Sequence, residues 1–286
     1  MVIILNRSVA DFECARNDCR MEAGIPCKSC YIMSAMQENE IIALLEGALD
    51  AAKAVGATAA DAVHIDATDI TVSERLGNPE DMERSESSGV GIRAFVGQKY
   101  AMASSTDLSP DALKEAAERA VAMAKASIDD PHSRLAEPGE WGEPKAGLDL
   151  IDSHEPDALW MREQCKAAEE AARSYAGITN SEGAEMSHSR ARSTVISSNG
   201  KSGGYASGYS SLSVSVLGGE GEHMERDYAY SVARHLEDLR AADAIGHEAA
   251  ERTLKRLNPR KQSTQALPVV FDPRVGKSLL GNFASA

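Results

Sequence analysis

Between Ser87 and Lys125 the spacing of apolar residues changes period, and this stretch restricts the fold more than any other. Val90, Ile92, Ala94 and Val96 alternate, as one face of a strand does. Gly97-Gln98 has the length and composition of a two-residue hairpin turn, after which Tyr100, Met102 and Ser104 alternate again. Ser109-Pro110-Asp111 then reads as a helix start. The serine hydroxyl can accept from a free amide, the proline fits the first helical position, and the aspartate suits the positive end of the dipole. Leu113, Ala116, Ala117, Ala120, Val121 and Ala124 share one face of the helix that follows. The periodicity predicts a βαβ-like unit in which an alanine-rich helix lies on a sheet.

The flanking segments extend this pattern. Ile41, Ile42, Leu44, Leu45, Ala48, Leu49, Ala52 and Val55 mark an amphipathic helix from Glu38 to Val55, stopped by Gly56. A strand is expected from Ala62 to Glu74, a turn at Gly77-Asn78-Pro79, and a second strand from Met82 to Ser88. Pro131, Pro138 and Pro144 with Gly139, Gly142 and Gly147 make residues 129–150 a linker or long loop. A helix from about Pro156 to Tyr175 carries Met161, Cys165, Ala168, Ala172 and Tyr175 on one side. A strand-rich section follows, with a hairpin turn at Ser198-Asn-Gly200. In it Leu212, Val214 and Val216 alternate with serines, and Met224, Tyr228, Tyr230 and Val232 share a face across a glycine-rich turn. Leu236 to Leu257 reads as helix, Pro268 to Pro273 as a strand, and Arg274 to Ala286 as the opening of a last helix.

The formal charge of −14 over 286 residues argues against nucleic acid and against a basic membrane-surface patch. No apolar run has the length of a membrane span, and Met1-Val-Ile-Ile-Leu5 is too short for a signal-peptide core. A cytoplasmic protein is the resulting expectation. Five cysteines, an odd number, do not suggest a disulfide framework. Cys14, Cys19, Cys27 and Cys30 crowd the first thirty residues, and Cys27-Lys-Ser-Cys30 has zinc-ligand spacing. The competing reading makes this segment an extension outside the fold, with Met33 or Met36 as the start.

Motifs that carry chemistry fall short one by one. Gly200-Lys-Ser202 lacks a phosphate loop's first glycine, since Val195 stands there, and Gly89-x-Gly91 precedes no helix. Ser207 directly precedes Gly208 and misses the nucleophile-elbow spacing. His247 has Glu251, not a second histidine, one helical turn on, which predicts a surface pair in place of a zinc site. His223, His235 and Asp227 could converge in space, although nothing in the sequence demands it, and Glu220, Glu222 and Glu225 read as a solvated loop. No residue is assigned a catalytic, cofactor-binding or metal role on this chain.

The Ser87–Lys125 block is followed in order by Asn180-Ser-Glu-Gly-Ala, Ser197-Ser-Asn-Gly200, Arg226-Asp-Tyr-Ala-Tyr-Ser-Val-Ala-Arg234, Ile245-Gly246, Ala249-Ala-Glu-Arg252 and Pro268-Val-Val-Phe-Asp-Pro273. With these segments, roughly from Met36 to the last residue, the chain resembles the TldD/PmbA family, and within it the PmbA (TldE) branch. The resemblance implies an α+β fold with alanine-rich helices packed on antiparallel or mixed sheets. It places residues 1–35 outside the family fold, 36–128 in a first α/β unit, 129–150 in a linker and 151–260 in a central section. Residues 261–286 then open a C-terminal domain that is expected to be truncated. In TldD-type subunits a Pro-Val-Val-like strand leads into a helix bearing H-E-x-x-x-H. Aligned on Leu279-Leu280, this chain offers Gly281, Asn282 and Ala286 at those three positions, none a zinc ligand or general base.

The resemblance therefore implies a subunit of a metallopeptidase complex acting on peptides, in which a TldD-like partner supplies zinc or a similar metal. This chain alone is expected not to hydrolyse peptides. A partner-binding module without proteolysis and a non-functional gene fragment stand as rival readings. Val269, Val270, Phe271, Leu279 and Leu280 are expected to be exposed in the isolated chain, with poor solubility as the consequence.

Overall fold

The computed structural model describes residues 38–140, 142 and 147–285. Helix α1 (Glu38–Ala54), strands β1 (Ala59–Arg75), β2 (Asn78–Val96) and β3 (Lys99–Ser105), and helix α2 (Pro110–Ala126) come first. After a long connection come α3 (Ala158–Arg173), β4 (Ile178–Ser197), β5 (Ser202–Gly218), β6 (Glu225–Ala233) and α4 (Ala242–Arg256), then α5 (Pro273–Ser285). The six strands form one sheet in the order β3-β2-β1-β4-β5-β6, and every neighbouring pair is antiparallel.

The α-β-β-β-α order occurs twice, and the strand order reads the same from either edge. An approximate two-fold axis runs through the central pair Ala67↔Ala191, where β1 meets β4. Equal steps along β1 from Ala67 and along β4 from Ala191 reach matched positions: Ala60 and Ala184, Ala62 and Met186, His64 and His188, Val72 and Ile196. On the flanking strands Ile92 corresponds to Leu212 and Ala94 to Val214.

Period-two alternation sends one set of side chains to the helices and the other to the opposite face. Ala60, Ala62, Val90, Ile92 and Ala94 join Leu45, Leu113 and Val121 in a core under α1 and α2. Ile70, Val72, Met186, Leu212 and Val214 join Met161, Cys165 and Ile245 in a second core under α3 and α4. Register puts both cores on the same face of the sheet. The opposite face has no covering layer among the described residues, and Ile65, Tyr100, Met102, Tyr205, Tyr209 and Tyr228 are exposed there. Tyr228, Tyr230 and Val232 do share a face, but it is this open one, while Asp227, Ala229 and Ser231 point toward the helices.

Small residues let the layers approach closely. A Cβ added to Gly246 of α4 would fall on the carbonyl of Ala168 and crowd Ala171 in α3. The β1–β2 hairpin turns at Leu76-Gly77, both with positive φ (53° and 76°). Its two inward amides are capped by Glu169 of α3, which accepts from Leu76 N at 2.8 Å and Gly77 N at 3.0 Å. Glu169 is fully buried, so this carboxylate pins the hairpin to the helix.

Several expectations are corrected. The Ser87–Lys125 block is no βαβ unit: a two-residue turn returns the chain antiparallel, and α2 leads to no parallel strand. Met82–Ser88 and Val90–Val96 are one continuous strand, and the preceding turn lies one residue earlier than Gly77-Asn78-Pro79, because Asn78 already pairs with Arg75. The helix expected from Leu236 is a 3₁₀ turn (Leu236–Asp238) followed by α4. Pro268 to Pro273 pairs with no strand among the described residues, so the segment does not begin a new strand. The turns at Gly97-Gln98 and Ser198–Gly200 and the Ser109 cap are present, with Ser109 Oγ accepting from Ala112 N at 3.4 Å.

Replacing Glu169 by Ala should cost about 1–3 kcal/mol through the two uncapped amides, and Gly246→Ala about 1–3 kcal/mol through overpacking. Gly47→Ala, in α1 with nothing near the added methyl, should instead stabilise by about 0.5–1 kcal/mol. Urea midpoints of the three variants measure all of this.

Candidate functional site

Over the middle of the sheet the two helix pairs stand apart. Asp66, Thr68, Arg190 and Arg192 belong to the helix-side face there, yet to neither core. Part of this seam is crossed by a strap, residues 149–156. Leu150 O accepts from Gly208 N at 2.9 Å, and Asp152 accepts from Leu236 N and His154 N, both at 2.8 Å. Glu155 lies 2.7 Å from Arg84 of β2 and 3.9 Å from Arg190 of β4, joining the two halves across the axis.

The matched histidines flank this seam. His64 Nε2 lies 2.9 Å from Ser88 Oγ, and His188 Nδ1 lies 2.8 Å from Ser210 Oγ. His188 is 2% exposed, and its Nε2 has no partner among the described residues. Burial lowers the pKa of both rings. Arg190 adds to the effect at His188, while Asp66 opposes it at His64. Neither pair has a carboxylate bonded to the second ring nitrogen among the described residues, which a Ser–His nucleophile requires to orient its base. Each pair ties two adjacent strands together, β1 to β2 and β4 to β5.

The other sequence candidates are dispersed. His223 lies exposed in a 3₁₀ turn, and His235 contacts Asp149 at 3.3 Å, whose carbonyl holds its pKa above the ordinary value. Asp227 pairs with Arg274 at 3.0 Å and Arg256 at 3.5 Å. Burial pushes the Asp227 carboxyl up, but those arginines and the Tyr228 amide outweigh it, and the net shift is downward. His247 packs against the Tyr175 ring and Glu251 pairs with Lys255, so the expected His247–Glu251 pair does not form. Glu225 opens β6 and lies 3.6 Å from Arg256, where a solvated loop was expected. Cys165 donates to Val72 O, and burial, then the charge of Glu74, pushes its thiol up to about 12. Cys14, Cys19, Cys27, Cys30 and Ala286 lie outside the described residues.

Sequence reasoning missed the buried anchors Glu169 and Glu74, the latter paired with Arg162, and the more open strap carboxylates Asp152 and Glu155. Only Glu169 left a signal, an acidic residue on an otherwise apolar helix face.

Among the described residues no three His, Cys, Asp or Glu are grouped to hold a metal ion. Gly281 and Asn282 lie on α5 and offer no imidazole or carboxylate, so the donor set there does not fit a zinc centre. What this end of the chain does present is apolar surface. No residue of α5 is buried, and Val270 and Phe283 are 96% and 86% exposed, with Val269, Phe271, Leu279 and Leu280 also open. The helix touches edge strand β6 through Arg274–Asp227 and Lys277–Tyr230.

Two profiles of one family match the chain, described as PmbA/TldA metallopeptidase domain 1 over residues 60–124 and PmbA/TldA metallopeptidase central domain over residues 151–257. The chain belongs to the PmbA/TldD family. It is 32% identical over 262 residues to the metalloprotease PmbA homolog of Haemophilus influenzae, which covers 91% of this chain and 58% of that protein. It is 35% identical over 220 residues to metalloprotease PmbA of Escherichia coli O157:H7, covering 77% and 49%. The chain thus spans about half the length of the curated relatives it matches. Among solved structures, TldE of Thermococcus kodakarensis is similar with TM-score 0.62 at 20% identity, over 74% of this chain and 47% of that one. A Bacteroides thetaiotaomicron protein described as a candidate modulator of DNA gyrase gives TM-score 0.72 at 24% identity, over 78% and 52%. At these identities the structures show the fold alone. Family membership makes this a PmbA/TldE-like, peptidase-related chain. No helix among the described residues is long and apolar enough to cross a membrane.

The seam histidines make stability depend on pH with a definite sign. Both rings have folded pKa values below the ordinary 6.5, so the unfolded chain binds more protons as pH falls past that value. Stability should be full above about pH 6.5 and decline as pH falls toward the folded values. Urea midpoints between pH 7.5 and 5.5 should fall for the wild type and fall less for His188→Asn.

Proposed function

We propose that this chain is a TldE/PmbA-like subunit of a cytoplasmic, heteromeric metallopeptidase that acts on peptides, with metal and general base on a TldD-like partner. The observation that carries this reading is the contrast at α5. The residues aligned with the metal motif are Gly281 and Asn282, while the same helix and the segment before it present Val269, Val270, Phe271, Leu279, Leu280 and Phe283 outward. Exposed apolar surface of this extent fits a docking face better than a catalytic one. In this arrangement the subunit shapes and restricts access to the peptide chamber, and its seam and strap hold the sheet in one shape.

Co-expression with a TldD-like chain of the same family, followed by native mass spectrometry and cleavage of an unfolded polypeptide, tests the proposal. The expected outcome is a heteromer that cleaves only when both chains are present and loses activity to a chelator. Val270→Glu combined with Leu280→Glu should weaken assembly at least about tenfold, a loss of about 1.4 kcal/mol, without moving the melting temperature of the isolated chain. Stable assembly with no cleavage would favour the reading of a partner-binding module, and absence of assembly would overturn the subunit reading.

A further inference from the structure

Backbone groups along a strand point alternately to its two neighbours, so any strand longer than its partner leaves an open edge. The Gly97-Gln98 hairpin closes on Val96↔Lys99, which turns the amides and carbonyls of Val96, Ala94, Ile92 and Val90 toward β3. Strand β3 ends at Ser105, opposite Val90, but β2 continues back to Asn78. By the same alternation Ser88, Glu86, Arg84 and Met82 direct their backbone groups outward, past the end of β3. Met82 N is taken by Asp81 Oδ1 at 2.9 Å. The amides of Arg84, Glu86 and Ser88 have no hydrogen-bond partner among the described residues.

The pseudo-equivalent edge in the other half is occupied. Strand β6 ends at Ala233, opposite Ser210, and the next outward residue of β5 is Gly208. Gly208 N donates to Leu150 O of the strap at 2.9 Å, and Gly208 O accepts from Arg234 at 2.8 Å. The two-fold axis that matches His64 with His188 matches Ser88 with Gly208. The molecule therefore already sets the strap against one of two matched edges, through one backbone hydrogen bond, and leaves the other bare.

We propose that the outer edge of β2 from Arg84 to Ser88 is a strand-docking lane for an extended, basic polypeptide segment. Side-chain charge selects that occupant. The lane and its approach carry Glu80, Asp81, Glu83 and Glu86. Arg84, the one cation within residues 80–88, is already held by Glu86 at 3.0 Å and by Glu155 at 2.7 Å. Arg75 of β1 lies 3.8 Å from Glu80, which leaves Asp81 and Glu83 to face an incoming segment. A second copy would bring two acidic edges face to face, which cross-strand repulsion disfavours, whereas lysines or arginines opposite these carboxylates are attracted. Ladder hydrogen bonds would supply the affinity and alternate side chains the selectivity. The lane belongs to the strand and does not depend on whether the chain partners a metallopeptidase.

The test uses the full chain and two labelled peptides, one alternating lysine with threonine or valine, the other with glutamate in place of lysine. The basic peptide should bind, weaken as salt rises, and slow hydrogen exchange at Arg84, Glu86 and Ser88. The acidic peptide should bind at least about tenfold more weakly. Glu86→Pro removes an outward amide that the β1 ladder does not use, a change an edge strand tolerates. It should abolish binding with an unchanged melt. If that variant melts early, Glu80→Lys with Glu83→Lys decides instead, by weakening the basic peptide and admitting the acidic one. Absence of binding, equal binding of both peptides, protection confined to other strands, or full binding to a well-folded Glu86→Pro would each overturn the proposal.

Discussion

The antiparallel ladder between β1 and β4, from Asp61↔Ser197 to Glu74↔Ala184, is the contact on which the rest of this structure depends. It joins two α-β-β-β-α units into one sheet and sets the register that places both sets of helices on the same face. Ala67 and Ala191 sit where the halves cross, and small side chains there suit a flat, closely paired centre. Register is unforgiving: a slip of one residue would carry Ile70, Val72, Met186 and Ile196 to the uncovered face.

Around that ladder, polar groups fix what hydrophobic packing leaves loose. Glu169 holds a hairpin whose Leu76 would otherwise carry an unfavourable left-handed backbone alone. Glu155 reaches β2 and β4 from the strap, and the two Ser–His contacts tie neighbouring strands together. Truncating Glu169 or either histidine contact strands a desolvated group, so these are worth more as constraints on shape than as net attraction, whereas the exposed Arg84–Glu155 pair adds little beyond orientation.

The helices and short hairpins were legible in the sequence because their signals are local. The Ser109 cap, the Gly97-Gln98 turn and the alanine face of α2 each lie within a few residues, and all are present. Strand β4 was not legible as a whole: Ser187, His188, Arg190 and Arg192 interrupt its apolar pattern, since its middle lies under the seam and not under a helix. The inward direction of Asp227 and Ser231 was hidden for a different reason, since tyrosines on the open side of β6 carried the stronger apolar signal. The strap could not be read at all, because its partners lie on distant strands and turns and its composition is that of any loop. The candidate docking helix was legible from its apolar residues, whereas the bare lane on β2 emerges only once the unequal lengths of β2 and β3 are known.

The matched positions Val72 and Ile196 have a further consequence. Ile196 of β4 packs in the core of the first unit, while Ile70 and Val72 of β1 pack in the core of the second. Each unit thus lends its innermost strand to the other, and neither core is complete in isolation. Two cores that exchange strands in this way melt as one cooperative transition, despite the modular look of the repeat. A chain severed between α2 and α3 would yield two fragments that are obligate complements, each folding only as the other supplies the missing wall.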